Sequence, residues 1–424
     1  MPCLQCRAPA RRIIAVAVVF AVIAHTPDLA AADPAAAPPL DLATAERQAL
    51  TDQPRLEALR AQVRAARERA VSAAQLPDPK LIAGVTNLPA NGEDRFSLSR
   101  DFMTMTGVGL AQEFPRAGKR RLRGHAQDLA AQTAEARLDA QERAIRRDAA
   151  LGWLDAWLPQ RAAGLVDEMV AEALRERGAA EIAFRSGRAP QADLLAAEVE
   201  LELLQDRRRK LDQDADEARE RLARWTGAPV GALAAGVPSL PAPPELPILQ
   251  AAVDRHPELL AAQADVAERE NALALAREEY KPDWRAELMY AWRPDFSEMA
   301  TLQVGIDLPV FTRDRQGRGA AAAAEEIVSA TATRDDRARA LHAEAAAVWR
   351  AWDQAVVRLR RYDDVIVPAA TARARAALAA YRGGKTELAA VLDARRAALD
   401  VNLMKLELQV EVLRRLVELR YLNP

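Results

Sequence analysis

Cysteine is almost missing from this chain. Its only two, Cys3 and Cys6, precede an apolar stretch at Ile13–Ala24. That stretch follows Arg7, Arg11 and Arg12 and leads to Ala30-Ala31-Ala32, the layout of a secretory signal over residues 1–32 cleaved before Asp33. The mature chain would then hold no cysteine, which excludes disulfides, thiolate metal sites and cysteine nucleophiles. With no cysteine at the cleavage point, a lipid anchor is excluded too. An uncleaved N-terminal anchor is the alternative, but the stretch is short for a membrane span.

Aromatic residues are scarce as well, at 4% of 424 residues, while the 50% that are hydrophobic include much alanine. Such a chain reads as long helices or coiled coil rather than a broad globular core. Neither the net charge of −2 nor the pI near 6.2 suggests a nucleic-acid partner, and none is expected. Beyond the signal no run of about 18 apolar residues occurs, so no transmembrane helix is expected. There is no phosphate loop, nucleophile elbow, HExxH or catalytic cysteine. Glu325-Glu326 and Asp335-Asp336 read as solvated helix faces, and neither catalysis nor a cofactor is expected.

What the chain does contain is one unit written twice. Pro54, Leu56 and Pro79 reappear 203 positions later as Pro257, Leu259 and Pro282. Val108, Gly109 and Trp153 reappear 196 later as Val304, Gly305 and Trp349, and Arg185, Gly187 and Leu195 reappear 197 later as Arg382, Gly384 and Leu392. After a proline-rich leader at 33–40, the first copy spans 41–226 and predicts a helix from Asp41 to about Gln75, a strand pair within 80–114, and a helical hairpin over 119–226. Its long helix, Lys119–Phe184, would approach about 100 Å, with a bend or local break expected at Pro159. A Pro/Gly-rich connector covers 227–247. The second copy, 248–424, predicts a helix to 280, strands within 283–311, and a hairpin over 316–422. In the last helix Leu399, Leu403, Leu406, Val410, Leu413 and Val417 form an a/d seam for a partner helix, an antiparallel one within the same hairpin being the simplest choice.

The strands point to a location. One face of the third carries Trp284, Ala286, Leu288, Tyr290 and Trp292, and its return strand alternates Leu302, Val304, Ile306, Leu308 and Val310 with more polar residues. Eight residues separate Trp284 from Trp292, about 26 Å along a strand. Transmembrane barrels have an apolar band of about 25 Å with aromatic girdles, so Trp284, Tyr290 and Trp292 are candidates for a membrane belt. A soluble hairpin packed on a helix is the alternative. Four strands cannot close a barrel, so the chain is expected to work as an assembly.

These features, together with Leu76-Pro-Asp-Pro79, Asn87-Leu88-Pro89, the block Val108–Pro115 followed by Gly118-Lys119-Arg120, and the segments Phe184–Arg188 and Tyr381–Lys385, resemble the TolC family of outer-membrane efflux ducts. The resemblance covers essentially the whole mature chain. LPDP, NLP and FP…GKR look most like the heavy-metal, CzcC/CusC-like branch of resistance-nodulation-division systems. The fold so implied is mainly α with a small β part: long helical hairpins forming a tunnel, and four strands contributing to a trimeric twelve-stranded barrel. The implied partners are two further copies of the chain, a periplasmic adaptor, an inner-membrane pump and outer-membrane lipid. The implied function is export of heavy-metal cations, or of drugs or other small molecules, through the outer membrane.

By the same resemblance, Ser186, Gly187, Arg188, Gly383, Gly384 and Lys385 would form hairpin tips that dock the adaptor; a plain helix C-cap is the other role of the glycines. Asp393 falls at a gate-aspartate position, with Asp193 in the corresponding place of the first copy, whereas Ala390 departs from the family pattern. A solvent-facing Asp393 beside Arg395 or Arg396 is the alternative. Met103 and Met105 could offer thioethers to Cu(I) or Ag(I), although packing suits methionine as well. His125, His256 and His342 stand singly and suggest no metal site. A periplasmic adaptor, also a helical hairpin with a glycine tip, is the competing assignment.

Overall fold

A computed structural model describes residues 38–51 and 53–423, so the signal and most of the leader lie outside the described residues. From Pro39 onward the chain clusters as one unit. The element order is α1 (Leu42–Gln48), α2 (Pro54–Ala73), β1 (Lys80–Thr86), β2 (Met105–Phe114), α3 (Ala117–Arg185), α4 (Gln191–Thr226), α5 (Leu246–Val253), α6 (Pro257–Glu278), β3 (Trp284–Arg293), β4 (Phe296–Ile306), α7 (Gln316–Arg361), a π-helical turn (Tyr362–Ile366), α8 (Val367–Arg382) and α9 (Leu388–Leu422). The fold is mainly helical with one small antiparallel sheet. Among the described residues no helix is long and apolar enough to cross a membrane.

The single opening helix expected in each copy is in fact two. Pro54 and Pro257 each stand at the first turn of the second helix, where a missing N–H costs nothing and the fixed φ is already helical. Asp41 caps α1 through a 2.7 Å bond from the Thr44 amide.

Proline acts differently inside the long helices. The break expected at Pro159 does not occur: α3 runs 69 residues as uninterrupted α-helix. Pro159 is buried, and Trp153 and Trp157, both fully buried, lie six and two residues before it. Their indole N–H groups bond the carbonyls of Leu40 (2.9 Å) and Ala234 (3.0 Å), so the end of the leader and the connector strap this stretch. Packing there offsets the one backbone bond that proline removes. Pro368 has no such support, and the helix opens just before it: the Val367 amide bonds the Tyr362 carbonyl in an i→i+5 turn. The wider turn relieves the clash between the proline ring and the carbonyl four residues back.

All six seam residues of α9 are buried, but their cluster contains Trp153, Trp157, Ala162, Val166 and Ala173 of α3 and Leu201, Leu204, Ala218 and Leu222 of α4. The seam thus meets helices of the first copy, while α9 also packs along α7 and α8 of its own hairpin, as expected.

The four strands form one sheet in the order β1-β2-β3-β4, every pair antiparallel. The β2–β3 pairing, Thr106↔Trp292 through Phe114↔Trp284, joins the two copies. β4 begins earlier than the alternation suggested and ends at Ile306, leaving Leu308, Val310 and Phe311 exposed outside the ladder. Pro309 has no N–H to continue it.

Candidate functional site

Register decides what each sheet face presents. Leu81, Leu110, Leu288 and Leu302 stand opposite one another, a row of four leucines across all four strands. All four are exposed, at 78%, 52%, 58% and 70%. On the same face, toward one end, lies the row Phe114–Trp284–Ile306; toward the other lie Val108–Tyr290–Ala300 and the Thr106–Trp292 pair. Trp284, Tyr290 and Trp292 therefore share one exposed apolar face, with aromatics at both ends of the leucine row. Burial of such a face is worth about 25 cal/mol per Å², and none of the described residues covers it.

The opposite face carries Lys80, Glu113, Arg285, Glu287 and Gln303. Lys80 pairs with Glu113 at 2.7 Å. Gly107 and Gly109 also lie there, and a Cβ at Gly107 would stand 2.7 Å from the Tyr290 carbonyl oxygen. Only glycine permits so close a strand approach, a feature of tightly bent sheets. Among the described residues neither sheet edge is paired further: β1 and β4 each pair on one side only.

A buried lysine locks the sheet to the helices. Lys119 at the start of α3 has a side chain only 3% exposed, and its Nζ reaches Asp283 at 2.8 Å and Glu279 at 3.3 Å. The Arg116 amide also bonds Asp283 at 3.0 Å. Burial acts to raise the Asp283 carboxyl pKa, but the Lys119 and Arg116 bonds outweigh it and hold the group below its ordinary value. The Gly118-Lys119-Arg120 motif thus ties the first copy to the residue preceding β3.

At the far end the two tips are built alike. Gly187 (φ 70°) and Gly384 (φ 69°) both lie in the left-handed region. Around Gly187, its own amide bonds Phe184 O and the Arg188 amide bonds Ala183 O, both at 2.9 Å; around Gly384 the equivalent bonds run to Tyr381 O and from Lys385 to Ala380 O, also at 2.9 Å. These are Schellman caps. Ser186 and Gly383 are the cap residues before the glycines, and Arg188 and Lys385 follow them, the Arg188 Nε donating to the Ser186 hydroxyl at 2.8 Å.

The tips pack on each other through Ala180, Ala197, Leu388, Val391 and Leu392. Asp193 lies in the first turn of α4, near the other tip: burial first, then the Asp193 and Glu176 carboxylates, raise the Tyr381 hydroxyl above its usual pKa. Asp393 is exposed and sits 3.8 Å from Arg396. From residue order alone the neighbouring arginines are only possible partners of Asp393. In the fold Arg395 pairs with Glu172 (3.1 Å) and Glu176 of α3, and Arg396 pairs with Glu200 of α4. Burial raises the Glu176 carboxyl, Arg395 opposes that, and Glu172 and Glu200 add to it. No local signal marks these pairs, because the partners lie some 200 residues apart.

Met103 is exposed before β2, and Met105 opens β2 on the polar face, which Met289 and Met299 share. Among the described residues no group of three or more His, Cys, Asp or Glu is arranged to hold a metal ion.

No protein-family description matches the sequence, and no curated protein matches it. Solved structures do match. The outer-membrane channel OprN gives a TM-score of 0.74 at 19% identity over 90% of this chain and 89% of that one. CusC, studied for the conformational changes accompanying folding and transmembrane channel formation, gives 0.76 at 15% identity over 90% and 92%. The CmeC outer-membrane channel of Campylobacter jejuni gives 0.74 at 13% over 90% and 85%. The chain therefore has the fold of outer-membrane channels, and the one sheet shared by both hairpins leaves the adaptor assignment without support.

Proposed function

We propose that the chain is the outer-membrane channel of a tripartite efflux system, working as a homotrimer. The observation that carries this reading is the exposed leucine row on a sheet open at both edges. In lipid every backbone N–H and C=O needs a partner, so an open sheet must close into a barrel. Two copies would give eight strands, whose interior side chains fill. Three give twelve, enough for a lumen lined by the polar face carrying Arg285 and Glu287. Trp284, Tyr290 and Trp292 then form the membrane belt, and the helices extend into the periplasm.

In this reading the caps at Ser186-Gly187-Arg188 and Gly383-Gly384-Lys385 dock a periplasmic adaptor joined to an inner-membrane pump. Asp393 and Asp193 face the axis near the constriction, where three like charges would favour cations. The cargo is a heavy-metal cation; the LPDP, NLP and FP…GKR pieces support this, and Met105, Met289 and Met299 offer soft ligands on the lumen face. The copies divide the work, since the belt and the stronger gate candidate both fall in residues 248–424.

The decisive experiment is mass measurement of the detergent-extracted protein followed by planar-bilayer recording. A heat-modifiable trimer that conducts fits; a water-soluble monomer ends the reading. For the gate, Asp393→Ala should change conductance or cation preference, and unchanged values would remove the acidic ring. For the cargo, a deletion strain should lose tolerance to at least one of copper, silver, zinc, cobalt and cadmium.

A further inference from the structure

Where α9 ends, its last turn meets α1 and α3 around a cavity of about 250 Å³, room for several waters. Four guanidinium groups line it: Arg143, Arg146 and Arg147 from α3 and Arg420 from α9. The one carboxylate in its wall, Glu46, is already engaged by Arg420 in a two-pronged pair at 2.9 and 3.0 Å. Arg147 bonds Asp148 at 2.8 Å and lies 4.4 Å above the Tyr421 ring. Among the described residues, Arg143 and Arg146 make no ion pair and no side-chain hydrogen bond, although both border the cavity.

This arrangement costs stability as it stands. Arg143 repels Arg146 and Arg147, because residues three and four apart are neighbours on a helix. Charge is left over in a concave site whose floor is apolar: Tyr421 is buried, and His256, fully buried, stacks edge-on against it at 5.0 Å. The excess extends inward, since burial first, and then the Arg143 and Arg337 charges, hold His256 below its usual pKa against the opposing pull of Glu258. Unpaired guanidiniums offer planar, paired donors that match the oxygens of carboxylate and phosphate groups.

We propose that this cavity binds a multiply charged oxyanion, a phosphate or polycarboxylate group, held by Arg143 and Arg146 and backed by Arg147 and Arg420. The anion would cancel the repulsion along α3 and pin the end of α9 to α1 and α3. The assignment is independent of the export reading: it concerns the wall where the helices join, and its failure leaves conductance and trimer mass untouched.

The test uses the full chain purified in detergent. Titration calorimetry and thermal unfolding are run with pyrophosphate and, separately, citrate, each against chloride at equal ionic strength. Saturable binding of either anion with a rise in Tm over chloride is expected, and the preferred anion identifies the source as phosphate or carboxylate. Arg143→Gln/Arg146→Gln should weaken binding at least about tenfold, the scale of one lost charged hydrogen bond. Arg60→Gln, at a paired surface arginine, should leave binding unchanged. If the double variant does not fold, Arg146→Gln alone, at the more exposed residue, should still weaken binding about threefold or more. No saturable binding beyond chloride, or equal binding in the arginine variants, overturns the site.

Discussion

Gly187 and Gly384 show how much a single residue can settle. Both need a positive φ, and a Cβ at either would meet nothing within 4 Å, so the cost of substitution is backbone strain alone. Gly187→Val or Gly384→Val should destabilise by roughly 1–2 kcal/mol each, read as a lower unfolding midpoint in detergent. Adaptor affinity should fall with it if the caps dock a partner. His256 makes a prediction of another kind. Burial depresses its folded pKa, so the unfolded chain takes up the proton first; the stability His256 contributes is present above about pH 6.5 and lost as pH falls toward its folded value. A His256→Phe variant should show a flatter loss of stability between pH 7 and 5 than the parent. Lys119 is legible in the sequence only as part of a motif. Lys119→Met should cost about 1–3 kcal/mol, less than a fully buried pair because Asp283 and Glu279 keep some water.

At the scale of elements, proline separates what was readable from what was not. Pro54 and Pro257 recur with the repeat, and their position at helix starts follows from the fixed φ. Pro159 and Pro368 look equivalent in sequence, as breakers within apparently helical runs, yet one is absorbed and the other forces a π turn. The difference lies in neighbours: Pro159 lies among buried tryptophans pinned by the connector, which no local pattern reveals. Pro159→Ala restores one backbone bond at little loss of packing and should raise Tm in a thermal melt. The α9 seam was equally plain as a pattern, but its partner was not. A heptad specifies an apolar stripe, and any helix delivered to that stripe can fill it.

The whole molecule is organised by which surfaces the chain leaves uncovered. Leu288→Arg places a charge in the centre of the exposed apolar face and should cost about 2–4 kcal/mol if that face meets lipid. Expected outcomes are loss of heat-modifiable trimer on gels and loss of protein from the outer-membrane fraction. Glu287→Arg, one residue away on the opposite face, should leave assembly intact and shift ion preference toward anions. Equal tolerance of both changes would mean the apolar face does not meet lipid.

Period and repetition lie within one stretch of chain, so the duplication, the alternating strands, the length of α3 and the glycine tips could all be read from residue order. Each depends on local geometry: the two-residue pleat, the helical turn and the left-handed conformation glycine tolerates. Pairing across the fold could not be read that way. The leucine row depends on the register of β2 against β3, which sets Leu110 opposite Leu288, 178 positions away, and the arginine cavity depends on where α9 ends against α3. Such contacts form only when the hydrophobic faces of both copies have closed on each other, and that closure is a property of the tertiary structure.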